Sequence, residues 1–301
     1  MQRLLIEAHG PGYPGDYLLS RIQGRSGALT GVTGALPAKT GTAERDDSRC
    51  WERAATERFW LFRQLDAELR VVLAPLFVFF ELGPMATALR YQAGGRPGDA
   101  DRVLQTSMLA PAIRAVLRGR EGVAEVLSRL ERSPAGSVLF LAGLRKSYSE
   151  GGLQHCEELL RRRFLMQALT MVRQRDLAFF CRAVVDIRNI IVVAKWLRWH
   201  PESVPALIPG GQVPLPRTGK MVTAEMLARM VRRWTHGLNP AGDQLRPEFL
   251  EPFLHAHLLR RLTRRRREGG VAAACIEYVW RGYFFARECS LRLHTTGETG
   301  P

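Results

Sequence analysis

Residues 176–211 read DLAFFCRAVVDIRNIIVVAKWLRWHPESVPALIPGG, and this stretch decides the fold. Helical spacing places six apolar side chains on one face: Leu177, Phe180, Val184, Ile187, Ile191 and Ala194. Further apolar residues cover most of the other faces, a pattern typical of a helix inside a bundle. Pro201 ends the predicted helix, because the residue before a proline avoids helical geometry. Pro209, Gly210 and Gly211 then predict a rigid turn.

Polar residues occupy two narrow strips of this helix. Arg188 and Lys195 form one strip, and the other contains Arg182, Asp186 and Asn189. Asp186 follows Arg182 by four residues, which is close enough for the two to pair along the helix. Asn189 stands among β-branched residues, where it adds no helix propensity and competes for backbone hydrogen bonds. We therefore expect Asp186 and Asn189 to be structural, with the Asn189 amide bonded to a neighbouring helix or to a partner.

The order of these residues resembles one known family. A buried helix containing V-D-I-R-N-I, followed by basic and apolar residues and then by L-I-P-G-G, resembles the C subunit of bacterial and archaeal V/A-type rotary ATPases. The eukaryotic relative of that subunit is called subunit d. The family typically shows a D-L-x-N-hydrophobic helix, a basic stretch and an I-P-G-G turn. The residues at those places are Asp186, Asn189, Arg198, Ile208, Pro209, Gly210 and Gly211.

Two more segments resemble the same family, one near each end of the chain. Residues 17–29 resemble its opening helix, where a tyrosine is followed by spaced arginines and a leucine. Residues 272–293 resemble its closing helix, where a tyrosine-bearing apolar run leads to a glutamate and, four residues later, to an arginine. Glu288 and Arg292 have that spacing, and their order favours an ion pair within the helix. We call these two helices and the central one the three anchor helices.

The sequence predicts an all-α protein, because hardly any stretch alternates with a period of two. The resemblance implies a three-lobed, pseudo-threefold helical funnel built from repeated helical bundles. A weak repetition of an aromatic-apolar helix followed by arginines agrees with that architecture. The whole chain would form one family domain, residues 1–301, with lobes at about 1–98, 99–211 and 212–301.

The resemblance also implies a function. The family member is a non-catalytic coupling subunit that links the central stalk to the membrane rotor (proteolipid) ring and transmits torque for ion transport or ATP synthesis. It would be cytoplasmic, peripheral at the membrane through the ring, and without a cofactor. Outward arginines on the three anchor helices are then candidate contacts with acidic or carbonyl-rich partner surfaces. They are Arg21, Arg25, Arg188, Arg198, Arg281 and Arg287.

The charge balance leaves a second hypothesis open. The 301 residues carry 44 Lys and Arg against 29 Asp and Glu, a net charge of +15 that attracts nucleic acid, anionic lipid or acidic protein. The runs 161–163 and 264–267 are all arginine, so a basic helical adaptor that binds nucleic acid is the alternative. Four consecutive helical arginines point all round the helix, however, and a solvated helix end opposite the C-terminal dipole also explains them.

Catalytic and nucleotide-binding patterns do not emerge from the sequence. The seven histidines form no H-E-x-x-H, and His255 and His257 point to different faces of a helix, which makes a poor metal clip. A G-x-S-x-G elbow is missing. The Ala38-Lys39-Thr40 segment lacks the glycines of a phosphate-binding loop. We therefore expect neither enzymatic activity nor a cofactor or metal.

Cysteine usage and hydropathy lead to two more expectations. The five cysteines are scattered and form no C-x-x-C pair, so we expect reduced thiols that serve as small hydrophobes in a cytosolic protein. The N-terminus lacks the profile of a signal peptide. The apolar run Val71–Phe80 contains Pro75, which we expect to break the helix, and the run is too short to span a bilayer. We therefore expect no membrane-spanning segment.

Overall fold

The computed structural model describes residues 1–30, 43–133, 139–199, 206–215, 223–238 and 242–295. These ranges contain eleven α-helices and no β-strand, which confirms the all-α prediction. The helices are α1 Gly15–Thr30, α2 Ala43–Gln64, α3 Ala67–Ala93, α4 Pro97–Gln105, α5 Pro111–Leu117, α6 Val123–Arg132, α7 Leu144–Met171, α8 Arg175–Trp199, α9 Ala224–Trp234, α10 Pro247–Glu268 and α11 Val271–Thr295.

The chain folds into two compact units. The first comprises Met1–Ala168 together with Tyr278–Pro301, and the second comprises Leu169–Glu277. Helices α7 and α11 therefore each begin in one unit and end in the other. The three lobes suggested by the resemblance stay a prediction.

Helix α3 is the central element of the first unit and packs against α2, α4, α5 and α6. It runs unbroken through Pro75, so the predicted break is wrong. Pro75 has no N–H, so the backbone carbonyl of Val71, four residues earlier, lacks its helical hydrogen bond. Val71 is 56% exposed, so the missing bond lies on the exposed side of the helix. The break instead precedes α3, where the Asp66 side chain caps the helix by accepting the Leu69 N–H at 2.8 Å.

Because α3 is unbroken, its length also corrects the membrane argument. The helix has 27 residues and is long and apolar enough to cross a membrane, although 61% of its most apolar window is buried within the fold. It also buries two charged residues, Arg70 and Glu81. The Arg70 guanidinium donates to the carbonyls of Ala8 at 2.7 Å and Gly10 at 2.8 Å. In this structure α3 is thus the core helix of its unit.

Helix α8 is the central element of the second unit and packs against α9 and α10. Its buried residues lie on most of its circumference, as the apolar pattern predicts. Helix α9 follows Thr223, whose hydroxyl caps it by accepting the Met226 N–H at 3.2 Å. The predicted helix end at Pro201 lies outside the described residues.

Candidate functional site

Asn189 fastens the segment around Pro209 to α8. Its side-chain amide donates to the carbonyl of Ile208 at 2.8 Å, and its side-chain carbonyl accepts the Ile208 N–H at 2.9 Å. Both residues are buried, so each backbone group of Ile208 depends on Asn189 for its hydrogen bond. The Asn189 amide is hydrogen-bonded, as expected, but the expected partner was wrong: the amide bonds to the turn of the same chain instead of to a neighbouring helix or another protein.

Asp186 lies one helical turn before Asn189 and holds the other end of the same segment. Its Oδ2 accepts the Gln212 N–H at 2.9 Å, and its Oδ1 accepts the Val213 N–H at 3.0 Å. The carboxylate thus bonds to the turn instead of to Arg182, which is exposed. We call Asp186, Asn189 and residues 208–213 the helix–turn clamp.

Burial raises the pKa of the Asp186 carboxyl to about 6. The two backbone N–H groups and the positive charge of Arg261 act in the opposite direction, because they favour the ionised form. The carboxylate is therefore mainly ionised at neutral pH, and it is protonated in mildly acidic solution. Because the pKa is higher than in an unfolded chain, the folded form binds this proton more strongly than the unfolded form does.

The two glycines of the clamp allow its close packing. A Cβ atom at Gly211 would overlap Oδ1 of Asp186, so only glycine lets the turn backbone reach the carboxylate. Gly210 has φ +94°, a left-handed conformation that other residues adopt at a cost, and its Cβ would lie 2.9 Å from Cδ1 of Leu169. The I-P-G-G sequence therefore has a local structural cause.

Arg261 on α10 completes the surroundings of the clamp. Its guanidinium donates to Gln212 Oε1 at 3.0 Å and to the Trp234 carbonyl at 3.3 Å. It also stacks over the rings of Phe179, at 4.7 Å, and Trp234, at 5.4 Å. Sequence reasoning missed Arg261, because it follows Phe179 by more than eighty residues and no local spacing connects them.

The two terminal anchor helices meet through Glu57 on α2. Arg25 on α1 forms a bidentate ion pair with Glu57, at 2.9 Å from Nε and 2.8 Å from Nη2, and stacks over Trp60 at 4.3 Å. The buried Tyr278 hydroxyl on α11 donates to the same carboxylate. Burial alone would raise the pKa of Glu57, but the bonds from Arg25 and Tyr278 outweigh it and hold the pKa below its usual value.

The candidate arginines do not form one outward-facing set. Arg25 lies in the internal ion pair with Glu57, and Arg198 pairs with Glu248 at the surface of the second unit. Arg188 is half-buried, and burial lowers the pKa of its guanidinium. The uniform outward orientation was therefore wrong. Arg21 is exposed, and Arg281 and Arg287 are half-buried; the roles of the six arginines as contacts stay a prediction.

The predicted ion pair within α11 does not form. Glu288 is half-buried and Arg292 is exposed, and the structure does not join them. An i, i+4 ion pair on a solvated helix contributes only about 0.2–0.5 kcal/mol, so the spacing alone does not ensure that the pair forms. The spacing allowed this pair without requiring it.

The arginine run at the end of α10 separates into two pairs. Arg265 bonds to Asp176 Oδ1 at 2.8 Å and stacks over Phe179 at 4.4 Å, and Arg266 bonds to Glu277 at 3.2 Å. Arg264 and Arg267 are exposed. Together with the exposed Arg260 they form a stripe at i, i+4 and i+7, which we call the α10 stripe. A solvated helix end explains only this exposed half of the run.

The cysteine prediction was wrong for two of the five residues. Cys50 on α2 and Cys289 on α11 form a disulfide, although 239 positions separate them in sequence. Cys156, Cys181 and Cys275 lie outside the disulfide and are buried, as expected of small hydrophobes. Nothing in the local spacing indicates this pair, because it depends on how the two terminal helices pack.

The sequence predicts neither a metal site nor a nucleotide site. Among the described residues, no group of three or more His, Cys, Asp and Glu side chains is arranged to hold a metal ion. The loop at 31–47, including the Ala38-Lys39-Thr40 segment, lies largely outside the described residues. In comparisons with known proteins, neither a protein-family model nor a curated protein matches the chain. The helix–turn clamp and the anchor helices are therefore the candidate functional features of the chain.

Proposed function

We propose that this chain is a non-catalytic coupling subunit of a V/A-type rotary ATPase. In this role it links the central stalk to the membrane rotor ring and transmits torque for ATP-driven ion transport or ion-driven ATP synthesis. Residues 1–301 form one three-lobed helical funnel on the cytoplasmic face of the membrane, associated with the lipid only through the ring. The subunit needs no cofactor, because it transmits force and performs no chemistry.

The observation that carries the proposal is the helix–turn clamp. The residues by which the chain resembles the family, Asp186, Asn189, Gly210 and Gly211, are in direct contact with one another or with the same turn. Four backbone groups of one short segment bond to two side chains of a single buried helix. Such an arrangement explains why these residue types occur together and in this order.

The clamp also has the mechanical property that coupling needs. A part that transmits torque must not yield between its two points of attachment. Buried hydrogen bonds from side chain to backbone fix a turn, because breaking one leaves an unsatisfied buried group at a cost of about 1–3 kcal/mol. The Arg25–Glu57–Tyr278 network similarly fixes the two terminal anchor helices in the first unit.

A pull-down tests the proposal directly. The full-length chain is immobilised and presented, at moderate salt, with purified central-stalk subunits and with a detergent-solubilised rotor ring of a V/A-type ATPase from the same genome. We expect retention of both. Absence of retention by a chain whose circular dichroism and melting curve show a folded helical protein would contradict the proposal.

The α10 stripe is the observation that favours the alternative, a basic helical adaptor for nucleic acid. The second unit alone carries 18 Lys and Arg against 9 Asp and Glu, which leaves +9 of the total charge of +15. A salt-titrated binding assay with duplex DNA and single-stranded RNA separates the two functions. Submicromolar affinity with a steep salt dependence would favour the adaptor, whereas weak, unspecific binding would leave the coupling subunit as the proposed function.

A further inference from the structure

Helix α11 lies antiparallel to α2 within the first unit. Contacts along their length include Tyr278 with Glu57 and with Trp60, Tyr283 with Trp51 at a ring distance of 5.7 Å, and Cys289 with Cys50. Residue numbers rise along α11 as they fall along α2, so the disulfide is the contact nearest the C-terminal end of α11. The disulfide fastens the last turns of α11, which follow Tyr283, to α2.

Cys50 and Cys289 differ from the other cysteines in accessibility. Both are half-buried, and their Cα atoms lie 6.6 Å apart, within the range that a disulfide spans. The remaining three thiols are almost fully buried. Burial raises the pKa of Cys156 to about 11 and that of Cys181 to about 12, so these thiols stay protonated and unreactive. The two cysteines that are accessible to solvent are thus also the two that contact each other.

We propose that Cys50 and Cys289 are a reversible thiol–disulfide couple that determines whether the last turns of α11 are held against α2. Cytosolic disulfides do not persist as permanent fasteners, because the glutathione and thioredoxin systems reduce them. In a cytosolic subunit this bond is therefore a regulated state. The regulatory role rests on the proposed function, whereas the bond and its effect on α11 do not.

The chemistry of the couple requires a peroxide and a dithiol. One thiolate attacks the peroxide and becomes a sulfenic acid while an alcohol or water leaves, and the second thiolate then attacks that sulfur and displaces water. Both cysteines lose their protons, the disulfide forms, and the peroxide accepts the two electrons. An external dithiol reverses the step by two exchanges, which return both protein thiols and leave the reductant as a disulfide.

The bond controls a segment that carries candidate contacts. Arg287, Glu288 and Arg292 lie within one helical turn of Cys289. When the bond is closed, α11 is fixed on both sides of Tyr283, and these side chains have defined positions. When the bond is open, the end of the helix frays more readily, as helix termini do when few contacts hold them.

Alkylation, melting and hydrogen exchange on the full-length chain test the proposal. The protein is treated with hydrogen peroxide or with dithiothreitol and then alkylated without denaturant. We expect no adducts and the loss of two hydrogen masses after peroxide, and adducts at Cys50 and Cys289 alone after dithiothreitol. The oxidised form should melt roughly 5–10 °C higher, with slower amide exchange in residues 286–295.

The double variant Cys50→Ser/Cys289→Ser is the matched control, because its melting and exchange should not respond to either reagent. Peroxide that yields sulfenic or sulfinic acid without a bond between the two cysteines would overturn the proposal. A bond that resists dithiothreitol in the folded protein, or equal exchange of residues 286–295 in both forms, would also overturn it. Because every measurement uses the isolated chain, none of these outcomes depends on stalk or ring binding.

Discussion

Asn189 shows what a single side chain contributes to the second unit. Replacing it by leucine, Asn189→Leu, leaves the N–H and carbonyl of the buried Ile208 without partners. We expect the free energy of unfolding to fall by about 1–3 kcal/mol, measured by denaturant unfolding of the purified variant. Arg182→Gln, on the exposed side of the same helix, is the control and should leave stability unchanged. Unaltered stability of the leucine variant would contradict the clamp.

Asp186 gives the second unit a predictable response to pH. Its pKa is about 6 in the folded protein against an ordinary value of 3.8, so the folded form holds the proton more strongly than the unfolded form. The resulting stabilisation is fully present below pH 3.8 and is lost as the pH rises through about 6.

The isosteric variant Asp186→Asn isolates this contribution, because asparagine does not titrate. The free energy of unfolding of the wild type minus that of the variant should fall by about 2 kcal/mol between pH 4 and pH 6. Urea denaturation at closely spaced pH values measures the difference. A difference that stays constant or rises over this interval would show that folding does not raise the pKa of Asp186.

For a single residue, the sequence predicts that a hydrogen bond is made better than it predicts which residue is the bonding partner. Asn189 stands out as a polar residue among β-branched ones, which predicts a buried hydrogen bond. Its partner, Ile208, follows nineteen residues later and offers only backbone groups, which no side-chain pattern reveals. Arg261 is less predictable still, since it reaches the clamp from a different helix.

Helix ends depend on caps and on burial more than on proline alone. Pro75 was expected to end a helix, yet α3 passes through it because the surrounding core holds the helix together. The true boundary lies at Asp66, where a side-chain cap starts α3. Propensity describes an isolated segment, and here the packing of a whole unit outweighs it.

The network around Glu57 makes a prediction about two helices. Tyr278→Phe removes the hydroxyl that ties α11 to the Glu57 carboxylate and leaves the Arg25 pair in place. We expect a loss of about 1–2 kcal/mol in the free energy of unfolding, measured in urea. The exposed Tyr17 provides the control, and Tyr17→Phe should be neutral. Equal stability of the two variants would mean that the hydroxyl does not hold the helices together.

The boundaries between the two units are the feature of the whole molecule that sequence reasoning did not find. Linkers are usually recognised by proline, glycine and polar residues. Here the boundaries at 168–169 and 277–278 fall within the helices α7 and α11, where no such signal exists. The all-α class was predictable, since the helical period recurs along the entire chain.

Association with partners is a property of the whole molecule, and Arg21 tests it most cleanly. Arg25→Glu would place a carboxylate against Glu57, so its effects on folding and binding could not be separated. Arg21 is exposed, and Arg21→Glu should keep the melting temperature unchanged while weakening retention by stalk and ring subunits at moderate salt. Unchanged retention would mean that this face of α1 is free surface.

In the proposed role, this chain couples ATP hydrolysis to ion movement without catalysing either. The most direct measurement is ATP-driven ion uptake into vesicles that contain the V/A-type motor, reconstituted with and without the chain. The proposal predicts that motors lacking the chain hydrolyse ATP but accumulate no ions, and that adding the purified chain restores uptake. Equal ion uptake in the presence and in the absence of the chain would contradict it.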